Sequence, residues 1–316
     1  MAIDGDIDPA LLTRFEAALG SLWHGNKLGL AVSGGSDSMA LLALAHELLG
    51  EKVEVATVDH GLRPEATEEC ALVVRVCEER GIPCNILRVN VGAGNVQDRA
   101  RAARYTALGA WALERGLAAI ATAHHADDQA ETVLMRLNRG SGLAGLAGIR
   151  SCTLSEGGTV PVVRPLLGFR KRELRDIVEQ LGLPHVEDPS NRDESYDRVR
   201  IRRALENAEW LDPLAIARSA GHLEETEKAL ESLALRLWDD RASVEDGRVS
   251  VPKAALLDTS ARLVARAVGV LGGRTSHGEV TAFLKTGVQR GNLAGVLIET
   301  GEETFVCTPE PPRRSG

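Results

Sequence analysis

Leu28–Leu49, LGLAVSGGSDSMALLALAHELL, changes texture twice. Leu28–Val32 are apolar, Ser33–Ser38 are small and polar, and the remainder is apolar over four helical turns. That order reads as a buried strand, a glycine turn and a helix. Gly34 and Gly35 let the backbone approach a ligand, Ser33, Ser36 and Ser38 offer hydroxyls, and the first amides of the helix face the turn. Phosphate is the ligand such a turn suits. The GxxxxGK(S/T) pattern of Walker A loops and the GxGxxG of dinucleotide loops are both missing, which weakens β/γ hydrolysis and hydride transfer as readings. Asp37 is a carboxylate within an anion site, a placement that makes sense when Mg²⁺ joins it to the phosphates. A plain helix-capping turn accounts for fewer of the six positions.

Further along the chain the pattern repeats. VEVATV (residues 53–58) ends in DHGLR, CNILRV (84–89) follows a helical stretch, and LAAIAT (117–122) ends in AHHADDQAET. Strands alternating with helices require crossover connections, so the fold class expected is α/β, a Rossmann-like parallel sheet with helices on both faces. Ligands of such sheets lie beyond the carboxyl ends of the strands, where these polar clusters fall. After Gly140 come a small-residue stretch, the basic helix start RKRELRDIVEQLGL, the turn-rich HVEDPSNRDESYDR and VRIRRALENAEWL. The last third reads as helical to about Trp238, then as short strands such as GRVSVP and LAGVLIET, then as a frayed tail TPEPPRRSG. Two domains are expected: residues 1–204 around the sheet, and a smaller, mainly helical region over 205–316.

Composition narrows the function. The 316 residues are 44% hydrophobic and 26% charged, enough for one good core and a second smaller one. Aromatics are only 3%, so rows of stacking rings like those of single-strand binders are not expected. The net charge of −8 argues against a general DNA coat, yet it is uneven. Residues 1–90 hold seven basic and 14 acidic side chains, residues 91–204 hold 17 and 14, and residues 205–316 hold 13 and 17. A basic middle suits a partner whose charge is felt in one place. The five cysteines include no CxxC pair and read as thiols in a reducing compartment, Cys70 and Cys77 as small buried hydrophobes. The acidic start and the lack of a run of roughly 18–20 apolar residues point to a cytoplasmic protein without a membrane anchor.

The AHHADDQAET cluster enters a helix from a strand end. His124, Asp128 and Glu131, or Asp127 and Glu131, share a helix face by i, i+3 and i, i+4 spacing. A zinc reading of its histidines lacks a cysteine or third histidine at suitable spacing. The bland reading of Asp127 and Asp128 is that they favour a helix N-terminus through its dipole. Arg101 and Arg104 share a face of the next helix back. RVRIRR (residues 198–203) and RKR (170–172) suit phosphate contacts, since arginine grips phosphate through two donors.

SGGSDS resembles the loop of the PP-loop pyrophosphatases, which split ATP between its α and β phosphates. VDHGLR, ARAARY, TAHHADDQAETVLMRLNRGSGLAGLAG, RPLL with RKREL, and EDPSN followed by RVRIR resemble the tRNA(Ile)-lysidine synthetase family, motif after motif and in order, from about Leu28 to Arg203. The resemblance implies ATP-dependent attachment of free L-lysine to C2 of the wobble cytidine in an isoleucine tRNA with a CAU anticodon. The cytidine is first adenylated, and AMP and pyrophosphate are released.

It implies that Ser33, Gly34, Gly35, Ser36, Asp37 and Ser38 hold the phosphates, with Asp59 and His60 also at the nucleotide. Asp37 and Asp127 become candidates for Mg²⁺. Arg104 is singled out for nucleotide contact, and Arg202 for a place near the reacting nucleotide. Arg139, Gly140, Ser141 and Gly142 match a mobile loop that closes over ATP or the flipped cytidine. The lysine ε-amine has a pKa of about 10.4, so presenting it unprotonated at pH 7 costs about 4.6 kcal/mol. Asp128 is the carboxylate expected to assist, with His125 helping, although the division between Asp127 and Asp128 stays open. Longer family members carry a C-terminal region that grips the acceptor stem, and about 110 residues follow Arg203 here. A homodimer also stays open. The rival readings are a PP-loop enzyme with another acceptor, such as a tRNA thiolase, and a tRNA- or nucleotide-binding protein without catalysis.

Overall fold

The computed structural model describes residues 6–61, 64–89, 96–155, 158, 160–186 and 197–310. The EDPSN segment, Leu62 and Arg63 of the DHGLR motif, and the end of the tail lie outside them. The apolar runs form a six-stranded sheet from β1 (Leu28–Ala31), β2 (Val53–Asp59), β3 (Cys84–Arg88), β4 (Ala119–Ala121), β5 (Cys152–Leu154) and β6 (Pro161–Val163). Its order is β3-β2-β1-β4-β6-β5, parallel except for the antiparallel edge strand β5. The strands after β1 build outward on one side through β2 and β3, then the chain returns to β1's other side as β4. This reversal between β1 and β4 is the crevice where α/β sheets bind ligands. The turn after β1 and the histidine cluster after β4 therefore meet at one place.

Helices α1 (Pro9–Gly20), α2 (Ser36–Leu49), α3 (Pro64–Glu79), α4 (Val96–Glu114), α5 (Ala126–Asn138), α6 (Leu143–Leu146), α7 (Lys171–Gln180) and α8 (Asp197–Glu206) complete this part. Ser38–Ala45 of α2 are buried without a break, as a helix hydrophobic all round should be when it lies within a core. Leu28, Leu30, Met39, Leu41, Phe169 and Leu174 belong to that core. A second cluster on β1's other flank packs α4 through Leu108, Trp111 and Ala112 against Ile120. Gly29 makes that contact fit, because a Cβ there would lie 2.7 Å from Trp111 Cζ3.

The chain divides into two compact units, Met1–His222 and Leu223–Gly316. This division lies 18 residues beyond the boundary read from sequence (204/205) and inside the long helix α9 (Pro213–Arg241). The shift has a physical source: α8 packs on α5 through Arg198 and Arg202, and Asp212 lies 3.9 Å from Arg170, which keeps this stretch with the first unit.

The second unit continues α9 and adds α10 (Leu257–Val270) and α11 (His277–Lys285). It also holds a five-stranded antiparallel sheet of β7 (Ser243–Glu245), β8 (Arg248–Pro252), β9 (Arg290–Leu293), β10 (Val296–Thr300) and β11 (Thr304–Pro309), ordered β7-β8-β11-β10-β9. Two of these strands were legible as GRVSVP and LAGVLIET. Among the described residues no helix is long and apolar enough to cross a membrane.

Candidate active site

At the end of β1, Gly35 is the N-cap of α2, so no side chain occupies the cap. Gly34 has φ +89°, which only glycine adopts freely, and its carbonyl accepts the Val186 N–H at 2.9 Å. Ser38 Oγ accepts the Ser33 N–H at 3.1 Å and donates to the Gly35 carbonyl at 2.9 Å, closing the turn. A Cβ on Gly35 would find its nearest atoms at 3.8 and 3.9 Å. The protein itself leaves room for a side chain there, and the room opens on a cleft of about 310 Å³.

Ser33, Gly35, Asp37 and Ser38 line that cleft on one side, with Arg101 and Arg104 of α4, His124 and Asp128 beyond β4, and Arg198 of α8 around the rest. Asp37 Oδ1 is buried without a hydrogen-bond partner among the described residues, while Oδ2 lies 3.5 Å from His125 Nε2. An orphan carboxylate oxygen beside an open phosphate cradle is the environment Mg²⁺ uses, through one or two carboxylates plus phosphate oxygens. Among the described residues no three His, Cys, Asp or Glu side chains form a metal cage.

The two histidines differ. His125 is 4% exposed and caps α5: Nδ1 accepts the Asp128 N–H at 3.3 Å, and Asp128 Oδ2 accepts the His125 N–H at 3.2 Å. Its Nε2 is 3.5 Å from both Asp37 and Asp128. Burial pushes its pKa down, but the carboxylates of Asp37, Asp128 and Asp127 outweigh burial and move it up. His124 holds Thr122 Oγ1 at 2.9 Å through Nδ1 and lines the cleft. Burial, together with the guanidiniums of Arg164, Arg104 and Arg101, drives its pKa to about 3 against the pull of Asp128. His124 is therefore the neutral imidazole of the cleft, and His125 a tie between the two strand ends. For Asp128, burial raises the pKa, yet His125, Arg198, His124 and the His125 N–H bring it below the ordinary value.

Asp127 is placed otherwise than a metal ligand should be. Arg170 Nε and Nη2 contact it at 3.1–3.3 Å and the Lys171 N–H reaches Oδ2 at 2.7 Å, so both oxygens hold α7 to α5. Arg170 of the RKR run is accordingly committed inside the protein. Arg202 bonds Glu131 Oε1 at 2.6 Å, and Arg198 bonds Glu131 Oε2 at 2.6 Å and Asp128 Oδ1 at 2.7 Å. Of the two, Arg198 lines the cleft and Arg202 does not. The sequence carried a signal for this: Arg198 and Arg202, i and i+4 on α8, match Asp128 and Glu131, i and i+3 on α5.

Asp59 Oδ1 accepts the Gly61 N–H at 2.9 Å and Oδ2 the Thr67 hydroxyl at 3.3 Å, shaping the turn after β2. The next residue, His60, has its pKa lowered by burial and by Arg104. Neither lines the cleft. Arg139–Gly142 lie still further off, at the opposite end of α5. Arg139 is the C-cap, Gly140 has φ +68°, and the Ser141 N–H donates to the Arg136 carbonyl at 3.0 Å, so the segment is a hydrogen-bonded turn.

One residue enters the sequence reading only as part of a motif, with no role of its own. Arg164 of RPLL is 5% exposed, donates to the Arg150 carbonyl at 2.7 Å and to Thr153 Oγ1 at 3.2 Å, and lends its charge to His124 and Tyr105.

This loop at the β1/β4 switch point defines a PP-loop domain, and residues 9–209 match the PP-loop domain family. Tertiary structure agrees: the U34-tRNA thiolase NcsA from Methanococcus maripaludis shares the fold, with a TM-score of 0.59 at 21% identity over 68% of this chain and 79% of that one. Among proteins of assigned function, the tRNA(Ile)-lysidine synthase of Novosphingobium aromaticivorans is 45% identical over 309 residues, 96% of this chain and 95% of the relative. That of Zymomonas mobilis subsp. mobilis is 41% identical over 297 residues, 91% of this chain and 90% of the relative. The chain belongs to the tRNA(Ile)-lysidine synthase family.

Proposed function

We propose that the protein ligates free L-lysine to C2 of the wobble cytidine of an isoleucine tRNA with a CAU anticodon, in the cytoplasm, at the expense of ATP cleaved to AMP and pyrophosphate. The observation that carries this reading is the orphan Asp37 oxygen beside an open phosphate cradle, in one cleft with Arg104, His124 and Asp128. Nothing in the geometry favours a thiolase or a non-catalytic binder over it.

Cytosine C2 becomes electrophilic once O2 is a leaving group, so the first step joins O2 to the α-phosphate and releases pyrophosphate. The turn from Ser33 to Ser38 holds the phosphates with helix amides and hydroxyls, and Arg101 and Arg104 offset the charge at phosphorus. Mg²⁺, when bound at Asp37, would supply charge neutralisation of the leaving pyrophosphate. In the second step the lysine amine displaces AMP from C2 and loses a proton. Asp128, kept ionised, attracts the ammonium of the incoming lysine. His124 accepts the proton: burial chiefly keeps this imidazole neutral, and anionic phosphate drawn to Arg104 and Arg101 relieves the repulsion those guanidiniums add, so its basicity rises when the nucleotide binds. His125 is a positioning residue that fixes Asp37 and Asp128 relative to each other.

The test is incubation of the purified protein with labelled lysine, ATP, Mg²⁺ and isoleucine tRNA bearing CAU, with methionine tRNA as control. Lysine in the isoleucine tRNA alone is expected. AMP release without lysine transfer would overturn the choice of nucleophile, and transfer into both tRNAs would overturn the selectivity.

A further inference from the structure

The arginines around the catalytic cleft are held in two ways. Arg198 is gripped by the carboxylates of Asp128 and Glu131, which match its charge within the protein. Arg101 and Arg104 of α4 line the same cleft, and among the described residues neither guanidinium has a carboxylate or a side-chain hydrogen bond to hold it. What both touch is the ring of Tyr105. The guanidinium carbon of Arg101 lies 5.1 Å from the ring centroid and that of Arg104 5.2 Å. Arg101 stands one helical turn before Tyr105, the i, i+4 spacing that makes helix side chains neighbours, and Arg104 turns onto the ring from the adjacent position. Tyr105 is 7% exposed and is the fixed member of the three.

A guanidinium anchored by a carboxylate is well placed but neutralised. One anchored by an aromatic ring is held by the negative face of the π system and keeps its whole charge, and both distances fall within the reach of about 6 Å over which that attraction acts. The charge that remains is felt nearby. Burial raises the pKa of Tyr105, yet Arg104, Arg101 and Arg164 bring it below its ordinary value, and Arg104 and Arg101 add to the burial that keeps His124 neutral. Two such guanidiniums repel each other, and Arg101 is exposed, so without an anchor both turn outward into water. The ring opposes that movement. The Tyr105 hydroxyl has no hydrogen-bond partner among the described residues, so the ring is the part of the side chain that the geometry uses.

We propose that Tyr105 is a positioning residue whose ring holds Arg101 and Arg104 in the cleft wall with their charge intact, preorganised for the phosphates of the bound nucleotide. No carboxylate has to be displaced when phosphate arrives, so the ordering of both side chains is already complete. The proposal rests on the ATP reading above and deepens it.

The experiment uses the full chain as wild type, as Tyr105→Leu, as Tyr105→Phe, and with a ring-fluorinated phenylalanine placed at position 105 by nonsense suppression. Fluorination drains the negative face of the ring while its shape stays close to that of phenylalanine, so the fold is kept. Calorimetry measures the Kd of a non-hydrolysable ATP analogue in the presence of Mg²⁺. Tyr105→Leu is expected to bind roughly tenfold more weakly than the wild type, and Tyr105→Phe, which restores a ring, to recover the affinity. The fluorinated form should again bind several-fold more weakly than Tyr105→Phe. Equal affinity of the phenylalanine and fluorinated forms would overturn the proposal even where Tyr105→Leu binds poorly, because the loss is then one of packing. AMP release by the wild type in the presence of isoleucine tRNA, measured on the same samples, keeps the two readings apart. Affinities that follow the series without AMP release uphold the role of the ring and remove the ligase reading, AMP release with flat affinities removes only the role of the ring, and a wild type that binds no analogue removes both.

Discussion

An unfolded His124 takes up a proton as the pH falls through about 6.5, and the folded protein withholds it until about pH 3. Between those values the unfolded state binds more protons, so stability falls with falling pH in that window and is fully retained above it. Urea unfolding at pH 7 and pH 5 should show a larger drop for the wild type than for His124→Gln; equal drops would locate the proton uptake elsewhere. Because Arg164, Arg104 and Arg101 help to hold the value down, Arg104→Ala should raise the His124 pKa, as should a bound non-hydrolysable ATP analogue. NMR titration of the ring reads both, and an unchanged value on nucleotide binding would remove His124 as proton acceptor. Asp37 acts on a different step. Asp37→Ala is expected to abolish AMP release while tRNA binding stays within a few-fold, and joint loss would make the loop mainly structural.

The junction of α5 and α8 depends on Glu131, 2% exposed and gripped by two arginines. Glu131→Ala removes the carboxylate that both guanidiniums share and leaves Asp128 to hold Arg198. Arg198 and Arg202 keep part of their surface in water, so the destabilisation expected is about 1–3 kcal/mol, below that of a fully buried pair. Equilibrium unfolding measures it, and a change under about 0.5 kcal/mol, the range of an ordinary surface substitution, would show that packing alone holds α8. What could be read in advance follows the range of the interactions. The turn from Ser33 to Ser38 and the cluster from His124 to Glu131 were legible because strand, turn and helix spacing are local patterns. The hold of Arg170 on Asp127 joins residues 43 apart, and those of Arg198 and Arg202 on Glu131 span 67 and 71. Matching spacings, such as Arg198 and Arg202 against Asp128 and Glu131, become pairs only once the two helices are known to touch, so Asp127 resembles a metal ligand and RVRIRR a uniform phosphate-binding run until then. Strands β7 and β9, of three and four residues, are missed for a related reason: their pairing in an antiparallel sheet, not their own composition, defines them, while β11 runs through Thr308 and Pro309 into the stretch read as a frayed tail.

At the scale of the molecule, a chain with net charge −8 must bind a polyanion through a few placed cations. The structure divides the basic residues of α8 into two kinds. Arg198 and Arg202 are matched by Asp128 and Glu131 and partly withdrawn from solvent, so phosphate gains little from them, whereas Arg203 is exposed on the same helix and open to a polyanion. Each phosphate contact releases counterions and adds about one unit to the slope of log affinity against log salt. Arg203→Ala should therefore lower the tRNA-binding slope by about one and weaken all tRNAs alike. Arg198→Ala should leave the slope nearly unchanged and instead impair lysine transfer, because Asp128 loses the guanidinium at 2.7 Å that orients it. Binding titrations over a range of potassium chloride, run beside transfer assays, separate the two. If Arg198→Ala lowers the slope as much as Arg203→Ala does, the inward pair opens to engage RNA, and the ion pairs linking α5 to α8 belong to the substrate-free protein alone.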